Sequence, residues 1–157
     1  MPTTRGNTKS KAARKLRPDR IRVSVQYAVA RRGVPPAAFL RKWARAASSG
    51  PLTLRVVGER EGRRLNQTYR RKNRATNVLS FRYDGMSGDV VLCHPVIRRE
   101  ARAQRKSVAA HYAHLVVHGV LHLRGYAHEK KRDASRMEAR EIRILRRGGI
   151  GNPYGVE

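Results

Sequence analysis

Val108-Ala-Ala-His111-Tyr-Ala-His114-Leu-Val-Val-His118-Gly-Val-Leu-His122-Leu-Arg-Gly125-Tyr-Ala-His128 holds five of the six histidines of the chain. Between the histidines of Val108–Leu123 stand mainly Ala, Val and Leu. A helix over those residues is apolar nearly all round and belongs at the buried centre of a fold. Ser107 suits its N-cap, and Gly125 suits the residue just past its end, where the chain must reverse.

One imidazole in a core satisfies itself on a backbone carbonyl. Several on one helical face point to a metal. His114, His118 and His122 stand at i, i+4 and i+8, with neighbours in that row roughly 5–6 Å apart. Two of them can meet one ion at a Zn–N distance of about 2.0–2.1 Å. All three cannot, because eight residues span about 12 Å of helix, so one end of the row has another role. Beyond Gly125, His128 can return to the same ion, giving H-x3-H-x5-H over His118, His122 and His128. Three neutral nitrogens with a fourth position left for water is the arrangement of catalytic zinc. The zinc-protease helix signature, H-E-x-x-H, requires glutamate after the first histidine. Gly119 stands there instead, which demotes peptide hydrolysis.

Upstream, Ile21, Val23, Val25, Tyr27 and Val29 alternate with more polar residues, the period of a strand. Pro35-Pro36 opens a helix with an apolar stripe of Phe39, Leu40, Trp43, Ala44 and Ala47, closed by Ser48-Ser49-Gly50. A second strand is expected at Leu52–Val57 and a polar helix over 58–72, with Leu65 and Tyr69 on one side. Asn77–Tyr83 and Asp89–Cys93 read as a hairpin. A basic helix follows over His94–Lys106, and Asp133 is expected to cap a last helix running to Arg147. Strands early and helices late indicate an α+β domain.

The chain has 157 residues, the size of one domain with its own core. Its 36 Lys+Arg against 11 Asp+Glu give a net charge of +25, which draws it to polyanions, above all nucleic acid. No apolar run of about 20 residues is present, so no membrane span is expected. The N-terminus lacks the apolar stretch of a secretory signal. A single cysteine, Cys93, excludes an internal disulfide and a cysteine-based zinc finger. The expected address is cytoplasmic. Residues 1–20, with seven Lys/Arg and one acid, read as a disordered basic arm, suited to RNA phosphates or to solubility alone. Residues 21–157 form the folded domain.

The stretch His114–His128 resembles the metal motif of the YbeY family of bacterial endoribonucleases, the rRNA maturation factors. Leu65-Asn-Gln-Thr-Tyr69-Arg70, Thr76-Asn-Val-Leu-Ser-Phe81, Gly88-Asp-Val-Val91, Met137-Glu138 and Gly149-Ile-Gly-Asn-Pro-Tyr154 are similar to its other signatures, so the likeness runs over roughly residues 52–154. The resemblance implies a single compact α+β domain of metalloprotease-like catalytic-domain architecture. In it, a four-stranded mixed sheet packs around the metal-binding helix, and one Zn²⁺ per chain is held by His118, His122 and His128. His114 matches a histidine of the motif not counted as a ligand. The implied activity is cleavage of single-stranded RNA in 16S rRNA 3′-end maturation and ribosome quality control. The implied partners are ribosomal RNA and the 30S subunit with its proteins, with no membrane and no DNA. Arg70 matches an arginine held to matter for activity, here assigned to the phosphate. Ala127 departs from the family, which usually has Asp there, so orientation of the ligand histidines must come from elsewhere.

On the residues alone, a bound Zn²⁺ would both acidify a water and polarise a phosphoryl oxygen, and an arginine beside it would offer phosphate a two-pronged donor. Basic patches at Arg70-Arg71-Lys72 with Arg74, Arg98-Arg99 with Arg102, Arg105-Lys106 and Lys130-Lys131-Arg132 together predict a salt-sensitive hold on RNA. Tyr69, Tyr83 and Tyr126 are the candidate stacking surfaces. The competing readings are a ribosome assembly factor with a structural metal, and a zinc hydrolase of peptides or esters.

Overall fold

The computed structural model describes residues 22–83, 87–125 and 130–155. The alternation at Val23, Val25 and Tyr27 makes β1 (Val23–Tyr27), two residues shorter at its C-terminal end than the pattern suggested. It pairs in parallel with β2 (Leu52–Val57), the chain crossing between them through α1 (Ala37–Ala47). After α2 (Glu59–Arg70), β3 (Val78–Arg82) and β4 (Gly88–Cys93) form the expected antiparallel hairpin. β4 also pairs in parallel with β2, so the mixed sheet has the order β1-β2-β4-β3. Three helices complete the described fold: α3 (His94–Ala103), α4 (Val108–Leu123) and α5 (Lys131–Arg147). It is the α+β domain that the strand and helix pattern indicates, with the four-stranded mixed sheet that the resemblance implies.

The two faces of the sheet carry different loads. On one, Leu52, Leu54 and Val56 of β2 and Val90 and Leu92 of β4 join α1 and α4 in the main core, with Trp43 and Tyr112 the largest buried side chains. On the other, Val57, Leu79, Val91 and Cys93 form a small cluster against Leu65 of α2. β2 and β4 are therefore covered on both faces, which suits their runs of β-branched and aliphatic residues. α4 is the central rod. Ten of its residues are buried, and it touches the sheet, α1, α3 and α5.

Both helix-end readings on α4 hold. The Ser107 hydroxyl accepts from the Ala110 N–H at 3.0 Å, and Gly125 takes φ +88°, the left-handed conformation of a residue just past a helix. Other boundaries differ. α5 begins at Lys131, two residues before Asp133, whose carboxylate lies in the first turn and complements the helix dipole instead of capping it. α2 and α3 stop at Arg70 and Ala103, short of the expected 72 and 106. In each case an arginine in the left-handed region follows, Arg71 at φ 56° and Arg105 at φ 53°. The basic arm 1–20 lies outside the described residues. No described helix is long and apolar enough to cross a membrane.

Candidate metal centre

α4 presents opposite chemistries to its two sides. Where it crosses the sheet it does so at Gly119. A Cβ there would stand 2.7 Å from Val90 Cγ1 and 3.1 Å from Val78 Cγ2. The Ser80 hydroxyl donates to the Gly119 carbonyl at 2.8 Å, tying the helix to β3. The position at which zinc proteases carry their glutamate is thus pressed against the sheet, with no room for a side chain.

His114, His118 and His122 form a partly exposed row on another side of the helix. The rings of His118 and His122 lie with centroids 4.8 Å apart, and those of His114 and His118 with centroids 6.1 Å apart. Glu141 of α5 meets this row. The stripe Met137, Glu141, Ile144 and Leu145 is the buried side of α5, and Glu141 is 0% exposed within it. Its Oε1 accepts from His118 Nδ1 at 2.5 Å and its Oε2 from His114 Nε2 at 3.0 Å. The Tyr154 hydroxyl also donates to Oε2. Burial alone would push the Glu141 carboxyl up, but these three donors outweigh it and hold it down, at about 2. Tyr154 moves the opposite way, raised by its own burial and by donation to Glu141.

An ionised carboxylate can only accept, so His118 Nδ1 carries a proton, and in the neutral imidazole the lone pair is then on Nε2. This is the way a carboxylate fixes the tautomer and orientation of a metal-binding histidine. His114, His118 and Glu141 each offer a ligand atom within 4.8 Å of the others, a group able to hold a metal ion. His111 is engaged elsewhere. Its Nε2 lies 3.1 Å from Glu100 Oε2, and Asn77 Nδ2 donates to both Glu100 oxygens.

The structure brings together His118 and His122 of the expected ligands. His128, Ala127 and Tyr126 lie outside the described residues. Arg70 is exposed at the C-terminal end of α2, after Tyr69, whose ring packs edge-on to Phe81 at 4.8 Å, so it stands at the β3 edge of the sheet. Sequence reasoning missed Glu141 and the role of Tyr154. The available signal was an acid at an apolar position: Met137, Glu141, Ile144 and Leu145 have the i, i+4, i+7, i+8 spacing of a buried face.

A family model described as Endoribonuclease YbeY matches residues 37–149. The curated protein named Endoribonuclease YbeY from Aromatoleum aromaticum is 50% identical over 143 residues, covering 86% of this chain and 93% of that protein. Its namesake from Stenotrophomonas maltophilia is 46% identical over 156 residues, covering 89% and 97%. Among solved structures, the solution structure of TM1509 from Thermotoga maritima aligns with a TM-score of 0.52 at 20% identity, over 85% of this chain and 99% of that one, and so shares its fold.

Proposed function

The chain belongs to the endoribonuclease YbeY family, and from that premise we propose that it is a zinc-dependent endoribonuclease cutting single-stranded RNA in the cytoplasm. Its proposed setting is 16S rRNA 3′-end maturation and ribosome quality control, with ribosomal RNA and the 30S subunit as partners. The observation that carries the metal reading is the Glu141–His118 hydrogen bond. It fixes a proton on Nδ1, so that the neutral His118 ring would bind a metal through Nε2, and the His122 ring lies 4.8 Å away between centroids.

This donor set suits zinc. His118, His122 and His128 are the proposed ligands, and Glu141 is the carboxylate that steadies His118, where Ala127 replaces the family's usual Asp. Taking Glu141 itself as a ligand is less favourable, because its two oxygens already accept from three donors that an ion would displace. When bound, zinc supplies an acidified water and a Lewis acid for the phosphoryl oxygen.

The protein's own groups do the rest. Glu141 keeps His118 in one tautomer and one orientation. His114, bonded to Glu141 and 3.1 Å from the Tyr154 hydroxyl, braces that carboxylate. Arg70 is proposed to receive a phosphate oxygen on its guanidinium. The large apolar side chains most exposed on the described surface are Tyr69, Tyr83 and Tyr154, and they offer unpaired bases a stacking surface.

The test is metal analysis paired with cleavage of a synthetic single-stranded RNA, with and without chelator. About one zinc per chain is expected, with cleavage abolished by chelator and by His122→Ala and lowered by Arg70→Ala. A 5′-phosphate on the product identifies attack by water; a 2′,3′-cyclic phosphate identifies attack by the 2′-hydroxyl. Zinc retained without cleavage would leave the second reading, an assembly factor with a structural metal. Equal cleavage by all three proteins would mean a contaminating nuclease.

A further inference from the structure

Two adjoining depressions, of about 660 and 540 Å³, open beside the C-terminal end of α4. Arg124 and Arg140 line both. Arg136 and Arg143 add to the first, Arg45 and Arg82 to the second. These six arginines come from α1, β3, the residue after α4, and α5, so nothing in their sequence spacing groups them. One carboxylate, Asp133, shares their linings. Among the described residues none of the six makes an ion pair.

Elsewhere the chain does pair its arginines with acids, Arg55 and Arg99 each binding a glutamate. Arg124 is instead fixed by neutral oxygens, its Nε–H donating to Ser48 Oγ at 2.7 Å and an Nη2–H to Ser49 Oγ at 2.9 Å. Ser48 Oγ is itself steadied by the Gly50 N–H at 3.1 Å. The guanidinium is therefore aimed without being neutralised, and its other N–H groups remain for a ligand. On α5, Arg136, Arg140 and Arg143 follow the i, i+4, i+7 row of one helical face, roughly one turn between neighbours. Six like charges gathered around a single acid repel one another. A polyanion with regularly spaced charges removes that cost and gains two-pronged hydrogen bonds.

We propose that this arginine cradle binds the phosphodiester backbone of a single-stranded RNA, on the stretch of strand flanking the histidine site. Arg124 lies two residues beyond His122, and Arg140 is next to Glu141, so a strand lying in the cradle passes the C-terminal end of the histidine row. The inference rests on the ribonuclease reading and adds to it the surface along which the substrate runs.

The test uses the full-length, zinc-loaded protein and a fluorescein-labelled single-stranded RNA with 2′-O-methyl sugars, titrated by fluorescence anisotropy across a range of salt. The variant Arg82→Gln/Arg124→Gln/Arg140→Gln is expected to bind about tenfold more weakly or worse. Its slope of log affinity against log salt should flatten by about 2, at roughly 0.7 for each phosphate no longer neutralised. Arg82 and Arg140 make no side-chain hydrogen bond among the described residues, so the double variant Arg82→Gln/Arg140→Gln folds normally and should show more than half of that slope change.

The control removes the same charge at the other end of the sheet. Arg82 sits where β3 ends and β4 begins, whereas Arg31 and Arg32 follow the C-terminal end of β1 and Arg60, in the first turn of α2, follows that of β2. Arg31→Gln/Arg32→Gln/Arg60→Gln should change affinity less than about twofold, since exposed charges beyond a Debye length are screened. Equal losses in the two triple variants, or an unchanged salt slope in the cradle variants, overturn the proposal. Cleavage assays on the same proteins keep the two readings apart. RNA cut by wild type but bound undiminished by the cradle variant removes the cradle and leaves the ribonuclease. Binding through the cradle with no cleavage does the reverse.

Discussion

Two glutamates show how this chain uses its scarce acids. Glu61 of α2 is half-buried and grips Arg55 of β2 with both oxygens, at 2.7 and 2.8 Å. Glu141 of α5 is fully buried and has no arginine or lysine partner among the described residues, only two imidazoles and a phenol. With 36 Lys+Arg in the chain, the choice of imidazoles and a phenol for the buried acid is informative. An arginine would have satisfied Glu141 more simply, but it would have placed a fixed positive charge beside His118 and opposed a cation there. With the imidazoles in their neutral form, the carboxylate's negative charge stays uncancelled and can favour a metal on the far side of the imidazole. The Glu61 pair fastens α2 to the sheet; Glu141 sets the chemistry of its neighbours.

The largest expected effect follows from that difference. Glu141→Ala strands three donors at a buried site, and each hydrogen bond to an ionised group is worth about 1.5–3 kcal/mol. A loss of about 3 kcal/mol or more is expected in urea unfolding of the metal-free protein. Glu141→Gln keeps the volume but can accept at one atom only, so it should lose less stability while still weakening zinc by about 10–100-fold. Competition against a chromogenic chelator measures the second effect. Zinc affinity unchanged in Glu141→Gln would reduce Glu141 to a packing role and erase its contrast with Glu61.

The other side of α4 sharpens the comparison. Gly119→Ala sets a methyl group 2.7 Å from Val90 Cγ1, and overpacking of that kind costs about 1–3 kcal/mol. Gly119→Glu writes the protease signature H-E-x-x-H into the sequence and should cost more, with no gain of peptidase activity, because that side chain faces the sheet and not the histidine row. Thermal unfolding and a peptide panel check both statements. A stable Gly119→Glu protein that cleaves peptides would show that the helix can turn about its axis.

How far the sequence reached can be seen along α4 and α5. The place of α4 was legible because its Ala, Val and Leu residues make it apolar nearly all round, and its ends were legible because Ser107 and Gly125 do local backbone work. The row at i, i+4 and i+8 also implied that one histidine has to serve otherwise; in the structure His114 and His118 both hydrogen-bond Glu141. What remained hidden depends on tertiary contact. Glu141 lies in an arginine-rich helix, where an acid reads as the partner of a surface cation. The six arginines of the cradle are scattered from residue 45 to residue 143, so the basic runs visible in the sequence, such as Arg70-Arg71-Lys72, named other places. The order β1-β2-β4-β3 was equally out of reach, because β4 enters between β2 and β3 through pairings that no local pattern records.

The smallest effect belongs to Glu61. The hydrogen bonds from Arg55 hold its carboxyl below the ordinary range, against a smaller upward push from burial. A carboxyl whose pKa is lower folded than unfolded adds stability above its unfolded value, about 4.3 for glutamate. That contribution fades as pH falls through the folded value. Glu61→Gln should therefore be less stable than wild type near neutrality, and the gap should close as the pH falls below about 4. Both partners keep contact with water, so the gap is expected to be about 1 kcal/mol or less, and to shrink in high salt. Urea midpoints of the two proteins at near-neutral and acidic pH give the comparison directly. A gap that persists in acid would mean that Glu61 acts by packing α2 against β2 and not by its charge.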